Sequence, residues 1–138
     1  MRIHTRPYER LKFYQNISEL RKLINKITNR FDKENLRLIS QMRDAARSAK
    51  QNIREGYRRG GAKEFVHYLN IARGSLEELG GDINDCLEDG LIDKEEHSML
   101  TKLVESSDYM IAQYIQSLFK MESDGTWKVP NKTKKLKQ

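Results

Sequence analysis

Residues 65–86 read FVHYLNIARGSLEELGGDINDC, and their spacing decides the fold. Phe65, Leu69, Ala72, Leu76, Leu79, Ile83 and Cys86 recur at alternating steps of four and three. An α-helix turns once every 3.6 residues, so this rhythm lays all of them along one stripe. A strand would need apolar residues at every second position. The stripe predicts a helix from Ala62 to Asp89, stopped by Gly90, that must bury one face against other helices. Gly74, Gly80 and Gly81 lie inside it. Each costs about 1 kcal/mol against alanine, so either they permit tight packing or the helix bends there.

The same rhythm extends in both directions. Helix two is predicted from Lys33 to about Arg59, with Asp32 as N-cap and Gly60-Gly61 as the stop. Leu38, Met42, Ala45, Ala49, Ile53 and Tyr57 line one side, and the alanines allow close helix approach. Helix one is predicted from Pro7 or Tyr8 to Phe31 on a stripe of Tyr14, Ile17, Arg21, Ile24, Ile27 and Phe31, widened by Leu20 and Leu23. Helix four follows Asp93-Lys-Glu-Glu96, a capping-box pattern, with Leu100, Leu103, Ser107, Met110, Tyr114, Leu118 and Met121 as its seam and Val104, Ile111 and Ile115 broadening it. Four helices with short connections favour antiparallel neighbours. The expected fold is an all-α, antiparallel up-down-up-down four-helix bundle over residues 8–121, with an N-terminal arm at 1–7 and a basic C-terminal tail at 122–138. Phe13 and Leu20, and Val66, Tyr68 and Ile71, read as second apolar stripes that would suit a subunit interface. Trp127 and Val129-Pro130 are placed to dock on the body or on a neighbour.

The chain has 138 residues and a net charge of +6, with 33% charged residues. The charge is unevenly placed: residues 1–61 and the tail are basic, whereas residues 62–90 hold two Lys/Arg against seven Asp/Glu. The single cysteine, Cys86, excludes an intrachain disulfide framework and reads as a buried structural thiol. No run reaches the length of a membrane span, and Met1-Arg-Ile-His-Thr-Arg-Pro7 has no apolar signal core. A cytoplasmic protein with no membrane partner is therefore expected.

The middle of the chain also carries a resemblance. Leu38-Ile-Ser-Gln-Met-Arg-Asp-Ala-Ala46, Asn52-Ile-Arg-Glu-Gly56-Tyr-Arg-Arg59, Glu64-Phe65 and Leu69-Asn-Ile-Ala-Arg-Gly-Ser-Leu-Glu-Glu-Leu79 resemble the four-helix-bundle proteins encoded in intervening sequences of bacterial 23S ribosomal RNA genes. The accessory variability proteins of diversity-generating retroelements are similar. The resemblance spans roughly residues 8–121. It implies a left-handed up-down bundle that assembles as a ring, usually a homopentamer. For the retroelement branch it implies a basic ring that contacts a reverse transcriptase and its template RNA. Ser48-Ala-Lys-Gln51 departs from the family's Ser-Ile-Pro, which predicts a straighter helix two. Arg54 stands where a small residue is common.

No catalytic set accompanies these motifs. Phosphate-binding glycine loops, Ser-His-Asp order and zinc spacings are missing from the sequence. Glu64-Phe-Val-His67 is a single Glu-x-x-His step, whereas a di-iron bundle needs two and two further glutamates. No enzyme, metal or cofactor is expected. Asn52, Glu55, Ser75 and Glu78 read as a polar network that sets helix register. The candidate nucleic-acid surface is Arg43, Arg47, Lys50, Arg54, Arg58 and Arg59 on helix two with Arg21 and Lys22 on helix one. Arg10, Lys26 and Arg30 add charge on helix one. Positions 43, 47, 50, 54 and 58 follow three- and four-residue steps and share a face. Such a surface suits phosphates, most naturally those of RNA, without reading sequence. Glu77, Glu78, Asp82 and Asp85 are the alternative partners of that row. In that case the chain is a protein-interaction scaffold ring with no nucleic-acid role.

Overall fold

The heptad stripe becomes α3 (Ala62–Glu88), one of four helices in a computed structural model that describes residues 6–125. The others are α1 (Lys12–Thr28), α2 (Leu36–Arg59) and α4 (Lys94–Ser123). Short 3-10 turns occupy Pro7–Arg10 and Lys33–Asn35, and no strand occurs among the described residues. Most of the 1–7 arm, together with Trp127, Val129-Pro130 and the lysine-rich tail, lies outside the described residues.

Every member of the α3 stripe is buried, as are Ile17, Leu20, Ile24, Met42, Ala46, Ala49 and Ile53 from the first two helices. α1 packs on α2 and α4, and α3 packs on the same two, with the α2–α3 seam the most extensive. Side-chain pairs fix the registers. Tyr14 faces Arg54 and Thr28 faces Arg43. Ser48 faces Ser75 and Met42 faces Cys86. Arg73 faces Asp108 and Asn84 faces His97. Phe13 faces Tyr114 and Asn16 faces Ser106.

The helix ends follow local chemistry. Gly60 adopts φ 89°, the left-handed cap that a side chain resists. At the end of α3, Leu91 N–H donates to Cys86 O at 2.8 Å and Gly90 N–H to Leu87 O at 3.2 Å. Those two bonds form a Schellman cap around Gly90, whose φ is 73°. The Asp93–Glu96 capping box forms in both directions, at 2.8 and 3.0 Å.

Several expectations are corrected. Helix one does not run unbroken from Pro7: Leu11 is extended (ψ 129°), so α1 starts at Lys12. It stops at Thr28, whose hydroxyl donates back to Ile24 O at 2.6 Å. Asp32 caps no helix through its side chain; its carbonyl closes the 3-10 turn before α2. Phe13 and Leu20 form no second stripe, because both are buried in the chain's own core. On α4 the core runs through Val104, Ile111 and Ile115, while Leu103, Met110 and Tyr114 flank it and Met121 is exposed.

The glycines divide by packing. A Cβ on Gly56 would meet Tyr68 Cβ at 2.7 Å and Phe65 Cδ1 at 3.1 Å. At Gly56, α2 and α3 thus approach too closely for a side chain to be added without a shift. Gly74 and Gly81 face open space, and Gly80 meets only Val104 at an ordinary 3.7 Å, so intrachain packing does not require them.

Candidate nucleic-acid interface

The flank of α2 that meets α1 carries a cluster of cations on an aromatic floor. Tyr14 sits on the α1 stripe, with its ring buried and its hydroxyl at the edge. Arg54 Nη1 donates to Tyr14 Oη at 3.1 Å. Lys50 Nζ lies 5.5 Å from the centroid of the same ring. Tyr8 packs edge-on against Tyr14 at 5.1 Å and against Tyr57 at 5.5 Å, which stiffens the floor. The sequence reading missed Tyr14 and Tyr8 here. The available signal was a tyrosine on an apolar stripe, since its hydroxyl needs a polar neighbour at the rim.

On this flank a partly buried ammonium has mainly other cations as its charged neighbours. The Lys50 ammonium titrates below its ordinary range, first because it is partly buried, then because Arg54, Arg21 and Lys22 surround it. Glu9 opposes that shift more weakly. Arg21 is half-buried and Lys22 exposed. Arg47 stays in line with Arg43, Lys50 and Arg54 by its three- and four-residue steps. It is exposed and makes no hydrogen bond or ion pair among the described residues.

The remaining candidates sit differently. Arg43 is spent on the end of α1: it donates to Thr28 Oγ1 at 2.9 Å, Asn29 Oδ1 at 2.9 Å and the Asn25 carbonyl at 3.5 Å. Two of these acceptors are side-chain oxygens at the end of α1, and the third, the Asn25 carbonyl, also accepts from Asn29 N–H at 3.2 Å. Arg58 and Arg59 both bind Glu55, at 2.5 and 2.9 Å, and hold its carboxyl below the usual range. Arg59 also covers the Tyr68 ring at 5.3 Å, on the α3 side of α2. Arg30 clamps the α3–α4 turn, with two 2.6 Å bonds to Glu96 and one of 3.1 Å to the Leu91 carbonyl. Five of the eight candidates thus gather on one flank: Arg21, Lys22, Arg47, Lys50 and Arg54.

The polar positions on the other flank form a shorter chain than expected. Asn52 Nδ2 donates to Ser48 O at 2.8 Å and to Ser48 Oγ at 3.1 Å. Ser48 Oγ in turn lies 3.0 Å from Ser75 Oγ on α3. Glu55 is engaged by the arginines instead, and Glu78 is exposed on the rim of a groove shared with Asp44 and Asp82. Burial raises the Asp82 carboxyl above its ordinary range, and Asp85 and Glu78 add to the effect. Cys86 is buried against Met42 Sδ at 3.6 Å, and burial above all pushes its thiol up to about 11. Such a thiol is not a ready nucleophile. No group of three metal-ligating side chains occurs among the described residues, and His67 is exposed beside Tyr68. No helix among them is long and apolar enough to cross a membrane.

Fold and surface together define an all-α helical protein with a group of cations gathered along the flank where α2 meets α1. The family description "23S rRNA-intervening sequence protein" matches residues 9–113, and the chain belongs to that family. The match covers α1 to α3 and most of α4. No curated protein matches the chain.

Proposed function

We propose that this protein is a non-enzymatic accessory protein that binds RNA backbone through the α1–α2 flank. In this reading its four helices run antiparallel, and copies assemble into a homo-oligomeric ring. The facing pairs support the antiparallel course, because residue numbers rise on one helix as they fall on its partner (14 with 54, 28 with 43; 42 with 86, 48 with 75). The observation that carries the RNA reading is the charge sorting around Lys50: its electrostatic neighbours are Arg54, Arg21 and Lys22, with Glu9 the one carboxylate. Crowded like charge destabilises a fold, and a polyanion relieves it. Phosphates would meet Lys22 and Arg47 first, since these are exposed. A ring multiplies a modest patch into a multivalent one. Its sharpest form is an accessory to the reverse transcriptase of a diversity-generating retroelement, in the cytoplasm; that form rests only on the motif resemblance read from residues 38–79.

The test is RNA binding across a salt series, followed by anisotropy. Affinity should fall linearly with log salt concentration. Binding of equal strength at low and high salt would sink the electrostatic reading. No retention at physiological salt would transfer the function to a scaffold ring whose charges serve assembly. Light scattering should give an assembly larger than a dimer, and a monomer would remove the ring.

A further inference from the structure

The cation flank borders a groove that phosphate binding alone does not explain. Gln15, Ser18, Glu19 and Lys22 follow three- and four-residue steps on one face of α1. With Tyr14, and with Glu9 and Arg10 from the turn before the helix, they line a groove of about 350 Å³. Two groups tie it to the phosphate surface. Lys22 lines the groove and is also one of the cations around Lys50. Tyr14 lines it too, and the same side chain carries Lys50 at 5.5 Å from its ring and Arg54 at 3.1 Å from its hydroxyl. The wall is braced: the Glu9 carboxylate accepts from Arg6 N–H at 2.8 Å, and the Glu9 carbonyl accepts from Gln15 Nε2 at 3.2 Å.

Glu19 is the group out of place. A carboxylate repels phosphate, and a glutamate three residues before a lysine on a helix ordinarily pairs with it. Glu19 and Lys22 are both exposed, yet neither bonds the other or any other described residue. The groove therefore presents an anionic acceptor and a cation side by side, both uncommitted. A ribonucleotide presents the complement, a hydroxyl donor on the 2′ carbon and a phosphate on the 3′ carbon beside it. A deoxyribonucleotide presents the phosphate alone. We infer that this groove takes the sugar of an RNA strand, with Glu19 accepting from the 2′-hydroxyl and Lys22 on the adjacent phosphate, so that the flank selects RNA over DNA. The inference rests on the RNA reading above and adds the group that tells the two strands apart. Part of the selection is negative. On DNA the carboxylate meets phosphates with no donor to bind, and its repulsion is not offset. Every ribonucleotide carries the same hydroxyl, so the contact reads no base.

Strands that share one base test it: oligouridine, oligodeoxyuridine and 2′-O-methyl oligouridine of equal length, compared by anisotropy at fixed moderate salt. Oligouridine should bind about tenfold tighter than oligodeoxyuridine, the scale of one charge-assisted hydrogen bond. The 2′-O-methyl strand keeps the sugar pucker of RNA without the donor, and should bind no better than the deoxy strand. Glu19→Ala should bring the RNA-to-DNA ratio close to unity, by weakening RNA binding and strengthening DNA binding. Alanine is the best helix former, so helicity should hold. Glu77→Ala, which removes an exposed carboxylate of α3, should leave the ratio as it was. Equal affinity of the unaltered protein for RNA and DNA would overturn the inference while leaving phosphate binding intact. A 2′-O-methyl strand that binds as tightly as RNA would overturn it as well. So would a ratio that Glu19→Ala leaves unchanged or that Glu77→Ala collapses equally. Binding of none of the strands would overturn the inference together with the RNA reading.

Discussion

The two flanks of α2 solve the same electrostatic problem with opposite signs. On the α1 side, burial and then Arg54, Arg21 and Lys22 depress the Lys50 pKa. On the α3 side, burial and then Asp85 and Glu78 raise that of Asp82. Each group is held where burial and like charge both oppose its ionised form, and Glu9 offsets only part of that at Lys50. The packing differs as well. The α1 flank is polar and aromatic, with Arg43 and Arg54 reaching across to α1. The α3 flank is close-packed through Ala45, Ala49 and Gly56. The difference teaches that close contact and free charge are kept apart: α2 brings Gly56 against α3, where Arg58 and Arg59 are tied to Glu55, and carries its unpaired cations on the side of α1.

Charge reversal is the strongest way to break this comparison. Lys22→Glu combined with Arg47→Glu should weaken RNA binding about 100-fold at fixed moderate salt, since each phosphate contact contributes to both affinity and salt slope. Neither side chain bonds another described residue, so helicity should not change. Glu78→Lys with Asp82→Lys should leave affinity equal or higher, measured by the same anisotropy assay. A matching loss there would erase the distinction between the flanks.

Packing gives the next effect. Gly56→Ala should destabilise the protein by about 1–3 kcal/mol in urea unfolding, because Tyr68 Cβ is anchored to backbone and cannot yield. That cost opposes alanine's helix-propensity advantage of about 1 kcal/mol. A stabilised Gly56→Ala variant would mean the two helices stand further apart.

On the α1 flank, Arg43→Met should cost about 1–2 kcal/mol, because Thr28 and Asn29 lose their donor while the aliphatic stem is kept. Arg47→Met should be neutral within about 0.5 kcal/mol. Equal costs at the two positions would show that both arginines serve the fold alone.

The smallest effect concerns pH. A carboxyl whose folded pKa is raised binds its proton more tightly when folded, so ionisation costs stability above that pKa. Asp82→Asn should therefore raise the urea midpoint at neutral pH. The gain should shrink as pH falls through the folded-state pKa into the acid range, where Asp82 is already neutral. A gain that persists unchanged in acid would assign the effect to packing instead.

Periodic features and chain punctuation were legible in advance. The α3 stripe, the left-handed glycines at 60 and 90 and the Asp93–Glu96 box depend on neighbours within a turn or so. The candidate site was legible only as a list of cations. Nothing near Arg43 in sequence announces that Thr28 and Asn29 will claim it, and nothing near Arg30 announces Glu96. Gly56 stood inside a quoted motif, yet its reason is Tyr68 on the next helix. On α4 the sequence offered two equally apolar strips, Leu103, Met110 and Tyr114 with Val104, Ile111 and Ile115 beside them, and only packing placed the second strip in the core.

What the amino-acid order determined by itself is where helices form, where they stop and that each has an apolar side. Those outcomes follow from backbone dihedrals and a 3.6-residue period, both local quantities. Tertiary structure alone decided the rotation of each helix about its axis, and with it which cations are tied down and which face solvent. A guanidinium is committed or free according to whether an acceptor from another helix lies within about 3 Å, and that distance exists only once the helices have packed.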